Sequence, residues 1–222
     1  MSAGPAPTHD LIRLREPIAL TADGPAPPWV EAALRRAPWV VVRRGHVRDG
    51  MMPVGVRGTT RCERFAAFVS VAEIADRLAP EDLTDSRHVI ERTCREEAPA
   101  LAALVRVAPI LVRQGLRWGP GGSVGFEIAT GVTTATASSD LDLILRPDRR
   151  LEPNETAELL AALSAAAAPA RIDVVLETPS GGVSLADLAA GPARVLVRTP
   201  CGPCLSVDPW RVDATALEEV AP

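Results

Sequence analysis

Asp140 and Asp142 are the residues of this chain best suited to chemistry, because they flank a single leucine within an apolar run. Side chains alternate between the two faces of an extended strand, so both aspartates are expected on one face, about 7 Å apart. A divalent cation such as Mg²⁺ would relieve their repulsion, since it prefers hard oxygen ligands. The spacing therefore predicts a metal site on a strand.

A glycine-rich turn precedes this strand at Gly121, Gly122 and Ser123. Glycine carries no side chain, so the backbone can approach a phosphate closely there, with main-chain N–H groups and the Ser123 hydroxyl as donors. Sixteen residues separate Ser123 from Asp140, and we expect this connection to bulge or to contain a further strand at residues 125–130. Taken singly, the turn and the carboxylate pair also have ordinary interpretations, as a plain turn and an exposed strand end.

A third carboxylate, Asp173, lies in another strand-like apolar run at residues 171–177. The order of phosphate-binding turn, Asp-x-Asp strand and later carboxylate resembles the polymerase-β-like nucleotidyltransferase superfamily. The resemblance implies that Asp173 joins Asp140 and Asp142 in one metal-binding set. It also implies a catalytic domain built on a mixed sheet with helices.

Composition and charge exclude several classes of protein. The chain has 222 residues, enough for one large or two small domains, and a net charge of −4, whereas a nonspecific nucleic-acid binder needs a basic surface. The first residues show no basic segment followed by an apolar core, and no stretch approaches the roughly 20 apolar residues of a membrane span. We therefore expect a cytoplasmic protein that binds neither nucleic acid nor membrane.

Every one of the 24 lysine-or-arginine positions is an arginine. This excludes a P-loop lysine and a lysine general base, and leaves arginine as the fixed cation for phosphate oxygens. Residues 35–64 concentrate eight arginines against two acidic residues. This basic segment is typical of a solvated face, or alternatively of a docking surface for an acidic protein or a polyphosphate.

Cys201 and Cys204 enclose Gly-Pro in a spacing that thioredoxin-like proteins use for redox chemistry. That chemistry needs the first cysteine at a helix N-terminus, where the dipole lowers the thiol pKa. Here a strand-like segment precedes the pair and a non-helical segment follows it. We therefore predict a turn without redox function.

The hydrophobic pattern predicts an α+β chain in two parts, a small N-terminal α+β domain at residues 1–92 and a nucleotidyltransferase-like catalytic domain at residues 93–222. Predicted helices cover residues 28–36, 71–78, 80–85, 99–114, 154–168 and 184–190, with Asn154 as an N-cap. Predicted strands cover residues 39–43, 53–57, 64–69, 125–130, 140–145, 171–177 and 194–198.

Further segments narrow the resemblance, namely Pro38-Trp-Val-Val-Val-Arg-Arg, Val54-Gly-Val-Arg-Gly, Trp118-Gly-Pro-Gly-Gly-Ser, Ser139-Asp-Leu-Asp-Leu and Asp208-Pro-Trp. Together, over nearly the whole chain, they resemble the malonate decarboxylase holo-acyl-carrier-protein synthase family, also called phosphoribosyl-dephospho-CoA transferases. Members of this family attach the 2'-(5''-triphosphoribosyl)-3'-dephospho-CoA prosthetic group to a serine of the acyl-carrier subunit of malonate decarboxylase and release pyrophosphate.

The resemblance implies Mg²⁺ as cofactor and triphosphoribosyl-dephospho-CoA as donor. The implied catalytic and metal-binding residues are Asp140, Asp142 and Asp173. The implied substrate-binding residues are Gly122 and Ser123 for the terminal phosphates, and Arg57, Arg61 and Arg64 for the remaining phosphates or the carrier protein. Trp118 is a further substrate-binding candidate. Trp118 and Phe126 flank the turn and could stack on the adenine, although an aromatic beside a turn is also typical of a core.

Two competing functions stay open at this point. One is a nucleotidyltransferase that uses an ordinary nucleoside triphosphate and another acceptor. The other is a noncatalytic adaptor that binds a carrier protein, and the intact set of aspartates counts against it. We also expect the basic segment to form part of the carrier interface, through Arg43 and Arg44. The histidines show no ligand or triad spacing and are interpreted as ordinary: His9, His46 and His88.

Overall fold

The computed structural model describes residues 6–16, 20–60, 62–84 and 98–211, which contain two six-stranded sheets. The first part of the chain contains β1 (Leu11–Leu14), β2 (Leu20–Thr21), α1 (Pro28–Arg36), β3 (Trp39–Val42), β4 (Met51–Arg57), β5 (Arg64–Ser70), β6 (Ile74–Leu78) and 3₁₀ helices at Val71–Glu73 and Pro80–Thr84. The second part contains α2 (Pro99–Arg113), β7 (Arg117–Pro120), α3 (Gly122–Thr130), β8 (Leu141–Arg146), α4 (Pro153–Ala167), β9 (Ile172–Thr178), β10 (Gly181–Ser184), α5 (Leu185–Ala189), β11 (Val195–Thr199) and β12 (Gly202–Ser206).

The first sheet is antiparallel throughout, with the strand order β2-β5-β4-β3-β1-β6. Alternate residues of its strands point to one face, where they form an apolar core with α1. That core contains Ile12, Val40 and Val54 from the strands and Leu34 from the helix. Helix α1 begins with a proline at its first turn, where the missing N–H costs nothing.

The second sheet is mixed, with the order β12-β11-β10-β9-β8-β7. Strands β8 and β9 run parallel and are connected through α4, because a parallel pair requires a crossover. Helices α2 and α4 cover one face, where Leu143, Leu145 and Leu176 are buried. Since side chains alternate along a strand, the opposite face carries polar residues such as Asp142 and Glu177.

A buried charged cluster joins this polar face to the first part of the chain. Asp10 has no exposed surface and accepts hydrogen bonds from Arg146 of β8 (2.9 Å) and from Arg77 of β6. Arg146 also donates to Glu81 (2.8 Å). Removing one member of a buried ion pair leaves an uncompensated charge, so the cluster fixes how the two sheets meet.

A second charged contact lies on β9. Glu177 accepts hydrogen bonds from His9 Nε2 (2.9 Å) and from Arg44 Nη1 (3.0 Å). Burial alone would raise the pKa of the Glu177 carboxyl, but these hydrogen bonds lower it to about 2. The Arg44 side chain is only 17% exposed. The structure therefore places Arg44 in the contact between the sheets and not on an open surface for a carrier protein.

The predicted α+β class is confirmed, with a mixed sheet in the second part. Most predicted helices and strands are present with bounds that agree within a few residues. The patterns missed β1, β2, β7, β10 and β12, most of which are short. The domain boundary predicted between residues 92 and 93 lies outside the described residues. In the described part of the chain, no helix is both long enough and apolar enough to cross a bilayer.

Three local predictions are wrong. Residues 125–130 form most of α3 and not a strand, because the apolar run there reflects a helix that is buried on nearly all sides. Residues 74–78 form β6 and not the end of a helix, because β1 provides an edge with which they pair. Helix α4 is capped by Glu152, which forms a capping box with Glu155, and not by Asn154.

The predicted turn is present but lies two residues earlier, at residues 200–201 between β11 and β12. Gly202 and Pro203 belong to β12, where they pair with Thr199 and Arg198. Cys201 is exposed in the turn, whereas Cys204 is buried in β12 opposite Val197. Because neither cysteine begins a helix, the dipole that redox chemistry needs is missing from this segment.

Replacing Asp10 with alanine tests the buried cluster. We expect a loss of about 3 kcal/mol in the free energy of unfolding, because Arg146 would keep only the partly exposed Glu81 as a charged partner and Arg77 would lose its contact with Asp10. Denaturant titration of both variants measures this. Asp76→Ala is the matched control, since Asp76 forms an exposed pair with Arg13 at 3.8 Å that is worth less than about 1 kcal/mol. Equal stability of the two variants would contradict the assigned role.

Candidate active site at the junction of the two sheets

Asp142 and Asp173 lie side by side on the polar face of the second sheet. The parallel register of β8 and β9 pairs Asp142 with Asp173, so the two carboxylates project from neighbouring strands on the same face. Asp140 comes one residue before β8 begins, where the N–H of Leu141 donates to the Arg171 carbonyl (2.8 Å). The structure thus brings the predicted aspartates to one end of this strand pair.

Asp142 is the centre of this group electrostatically. Burial, the charge of Asp173 and the charge of Asp140 raise the pKa of the Asp142 carboxyl to about 6, against the opposing effect of Arg57 and Arg64. A carboxylate with a raised pKa in a cleft is a frequent property of functional sites. The site is therefore an anionic position that a cation would stabilise.

Asp140 already has a cationic partner. Arg171 donates to both of its carboxylate oxygens, from Nε (2.8 Å) and Nη2 (3.3 Å). Arg171 is largely exposed, with 77% of its side chain accessible, so the pair is solvent-screened and weak. A metal ion that binds Asp140 must share that carboxylate with Arg171 or displace the guanidinium.

The chemistry of the donor set fits Mg²⁺ in a limited way. Among the described residues, no three histidine, cysteine or acidic side chains form a ready-made metal site. Mg²⁺ is usually bound through one or two carboxylates together with substrate phosphates and water. Asp140 and Asp142, which line the same cleft, provide the two carboxylates that such a site needs.

The glycine-rich turn packs directly against Asp142. Gly121 donates its N–H to the Asp142 carbonyl (2.9 Å), and Gly122 has a left-handed φ of 55°. A Cβ at Gly122 would overlap the Asp142 carboxylate, so only glycine fits there. Helix α3 begins at Gly122 with Ser123 in its first turn. Its first N–H groups lack intrahelical acceptors, and the helix dipole favours an anion at this end.

Arg57 and Arg64 form the opposite wall of the site. They are directly paired across β4 and β5, an arrangement in which like charges repel. Burial and the neighbouring Arg64 charge lower the pKa of Arg57 to about 10, while Asp142 opposes this shift. Two guanidinium groups held together near a glycine turn are suited to phosphate oxygens. Arg61, the third arginine predicted here, lies outside the described residues.

An open cleft of about 410 Å³ lies between these walls. Hydroxyl groups dominate the rest of its lining, which suits the many acceptor oxygens of a polyphosphate. The lining residues are Arg57, Thr59, Thr60, Arg64, Ser123, Thr134, Thr136, Ser138, Ser139, Asp140 and Asp142. Both parts of the chain therefore contribute to one cleft.

Glu127 of α3 holds the loop that brings several of these hydroxyls into the cleft. Its carboxylate is buried and accepts from the N–H groups of Thr134 and Ala135, both at 2.8 Å. The Thr134 hydroxyl donates to the Ser123 carbonyl (2.8 Å). This loop is the bulge predicted between Ser123 and Asp140. Glu127 was not predicted as a site residue, although a lone acid within an apolar helical run is a usable signal.

Trp118 and His9 are placed differently from their predictions. Trp118 is 7% exposed and packs in the main core, and it does not line the cleft among the described residues. His9, interpreted as ordinary, lines a cavity next to the cleft together with Gly122. Its ring reaches this position from the far end of the sequence, which no local pattern could indicate.

Comparison with known proteins identifies matches over most of the chain. A family model described as the phosphoribosyl-dephospho-CoA transferase MdcG C-terminal domain matches residues 86–209. The model of the corresponding N-terminal domain matches residues 7–80. No solved structure matches significantly.

Individual relatives agree with the family models. A protein of Pseudomonas putida is 42% identical over 204 residues, covering 92% of this chain and 95% of its own. A protein of Pseudomonas aeruginosa is 40% identical over 210 residues, covering 95% and 96%. A protein of Azotobacter vinelandii is 45% identical over 192 residues, covering 85% and 88%. All three are named phosphoribosyl-dephospho-CoA transferase.

Asp142→Asn tests how much the ionised Asp142 carboxylate destabilises the folded protein. The pKa of Asp142 is about 6 in the folded protein and 3.8 ordinarily, so folding favours the protonated form, and stability falls as pH rises between these values. We expect the asparagine variant to be more stable than the parent at pH 8, on the order of 1–3 kcal/mol, with the difference shrinking below pH 5. Denaturant titrations at both pH values measure this.

Asp148→Asn provides the control, because Asp148 is 73% exposed and pairs only with Arg117 among the described residues. It should show no comparable gain at pH 8. A destabilised Asp142→Asn protein at pH 8 would contradict the repulsion inferred at the site.

Proposed function

The chain belongs to the phosphoribosyl-dephospho-CoA transferase family, and we propose that it transfers the prosthetic group of triphosphoribosyl-dephospho-CoA to a serine of the malonate decarboxylase acyl-carrier subunit. The Pseudomonas putida and Pseudomonas aeruginosa relatives each cover more than nine tenths of the chain, at 42% and 40% identity. The observation that carries the proposal is the convergence of Asp142, the Gly122 turn and the Arg57–Arg64 pair on one cleft.

In the proposed reaction the carrier serine Oγ attacks the phosphorus nearest the ribose. A P–O bond to the serine forms, the P–O bond to the leaving pyrophosphate breaks, and the serine proton passes to a base. Phosphoryl transfer of this kind depends on alignment and charge stabilisation more than on covalent help from the protein.

The leaving pyrophosphate would lie against the cationic wall and the start of α3. The guanidinium groups of Arg57 and Arg64 would stabilise its growing charge, and the Ser123 hydroxyl and the first N–H groups of α3 would donate to its oxygens. Arg61, carried over from the family pattern, is proposed as an additional phosphate contact.

Asp140 and Asp142 would hold Mg²⁺ against the triphosphate, where the ion would neutralise negative charge on the reacting phosphate. Asp173 projects beside Asp142 on the same face. We assign it to the acceptor side, where it would share a second ion or take the serine proton. Without a metal the pKa of Asp142 is raised to about 6 by burial and by the neighbouring aspartates. A proton would therefore compete with Mg²⁺ for this carboxylate, so the Mg²⁺ concentration needed for half-maximal activity should rise as the pH falls. A cytoplasmic location stays a prediction.

Intact-mass measurement of the apo acyl-carrier subunit tests the proposal. Incubation with the protein, Mg²⁺ and triphosphoribosyl-dephospho-CoA should add the mass of the phosphoribosyl-dephospho-CoA group and release one pyrophosphate. No mass gain with folded protein and authentic donor would overturn the assignment. A gain only from an ordinary nucleoside triphosphate would support a nucleotidyltransferase with different substrates.

Two glycine variants separate site chemistry from backbone strain in the same assay. Gly122→Ala should lower the rate about 100-fold, because the new Cβ displaces the Asp142 carboxylate. Gly115→Ala introduces similar strain at φ 64° but meets no atom within 4 Å, so it should keep its activity. Asp142→Asn should be inactive despite greater stability, which excludes unfolding as the reason.

A further inference from the structure

A second cavity, of about 180 Å³, opens beside the phosphate cleft. Its walls come from both parts of the chain and are mainly apolar, with Leu11 and Val41 from the first sheet, Leu83 from the second 3₁₀ helix, and Phe126 from α3. Gly121 and Gly122 form another part of the lining. The cavity therefore lies behind the same glycine turn that packs against Asp142.

The cleft and the cavity meet at the arginine pair. Arg57 and Arg64 line both spaces, whereas the hydroxyl groups line only the cleft and the apolar side chains only the cavity. A ligand with a charged end and an uncharged end can thus place the charged end among the hydroxyls and arginines, and the uncharged end among the apolar side chains.

His9 provides the third polar side chain of the cavity wall, beside Arg57 and Arg64. It has a left-handed φ of 76°, a strained conformation for a residue with a side chain. Its Nε2 donates to the ionised Glu177 carboxylate (2.9 Å), which fixes the ring. Among the described residues, Nδ1 makes no hydrogen bond. In the neutral ring Nδ1 is an acceptor, suited to an exocyclic amino group.

We propose that this cavity binds the adenosine portion of the donor. The proposal rests on the proposed function and adds a binding site to it. A flat heteroaromatic base suits walls made of Phe126, Leu11 and Val41, and an adenine amino group suits His9. The first part of the chain would then contribute to donor binding, with the residues that enclose the base.

The covalent structure of the donor favours adenosine, and not the pantetheine arm, as the portion that occupies the cavity. The triphosphoribosyl group is attached to the adenosine 2'-oxygen, so adenosine follows directly after the ribose that carries the reacting phosphate. The pantetheine arm is attached through the 5'-diphosphate on the other side of the adenosine. Its amide groups would also lose water on entering apolar walls that offer few partners.

Calorimetric titration of the full chain with dephospho-CoA, adenosine monophosphate, pantetheine and pyrophosphate tests the site. We expect dephospho-CoA and adenosine monophosphate to compete for one site that pantetheine does not enter. Val41→Phe, which fills the cavity, should weaken dephospho-CoA binding about tenfold while pyrophosphate affinity changes less than twofold. Val47→Phe, on a residue 37% exposed, should change neither affinity.

Phe126→Leu gives a second variant that removes the aromatic wall without adding volume, and it should also weaken dephospho-CoA binding selectively. Unchanged affinity in both variants would overturn the adenosine site, as would pantetheine displacing dephospho-CoA when adenosine monophosphate does not. The carrier mass assay distinguishes the two proposals. If the wild-type protein transfers the group and the cavity variants bind dephospho-CoA normally, only the adenosine site is overturned. If the protein binds adenosine monophosphate selectively but transfers nothing, only the proposed reaction is overturned.

Discussion

The parallel register of β8 and β9 is the constraint on which the site depends. It places Asp142 beside Asp173, and the alternation of side chains brings Arg146 and Glu177 to the same face further along the strands. An uncovered face of this kind would be strongly hydrated. The first part of the chain covers this face with polar and charged groups. Asp10 pairs with Arg146, and Arg44 and His9 both contact Glu177.

The two ends of this charged face differ in how their charges are compensated. At one end the charges are matched within the protein, and the pKa of Glu177 falls to about 2 because its partners favour the ionised form. At the other end Asp142 faces further acids, and its pKa rises to about 6. Arg57 and Arg64 lie across the cleft and repel each other. Stability lost at that end is a common cost of a binding site that a metal and a polyphosphate complete.

The chemistry was easier to predict from the sequence than its surroundings. Strand alternation placed Asp142 correctly. Gly122 was expected to let the backbone approach a phosphate, whereas the group that packs against it in the structure is the Asp142 carboxylate. The pairing of Arg57 with Arg64 depends on the register of β4 and β5, which no single segment of the sequence shows. The position of His9 depends on its contact with Glu177, a residue 168 positions away in the sequence. Residues 125–130 were assigned the wrong element because a fully buried helix has no polar face to set its period.

The most direct test of the shared site is an anomalous difference map from crystals containing Mn²⁺ and pyrophosphate. We predict one Mn²⁺ peak between the Asp140 and Asp142 carboxylates, with pyrophosphate oxygens contacting Ser123 and at least one of Arg57 and Arg64. Both parts of the chain would then contact one ligand. A Mn²⁺ peak away from Asp142, or pyrophosphate bound without either arginine, would contradict the assignment of this cleft as the catalytic centre.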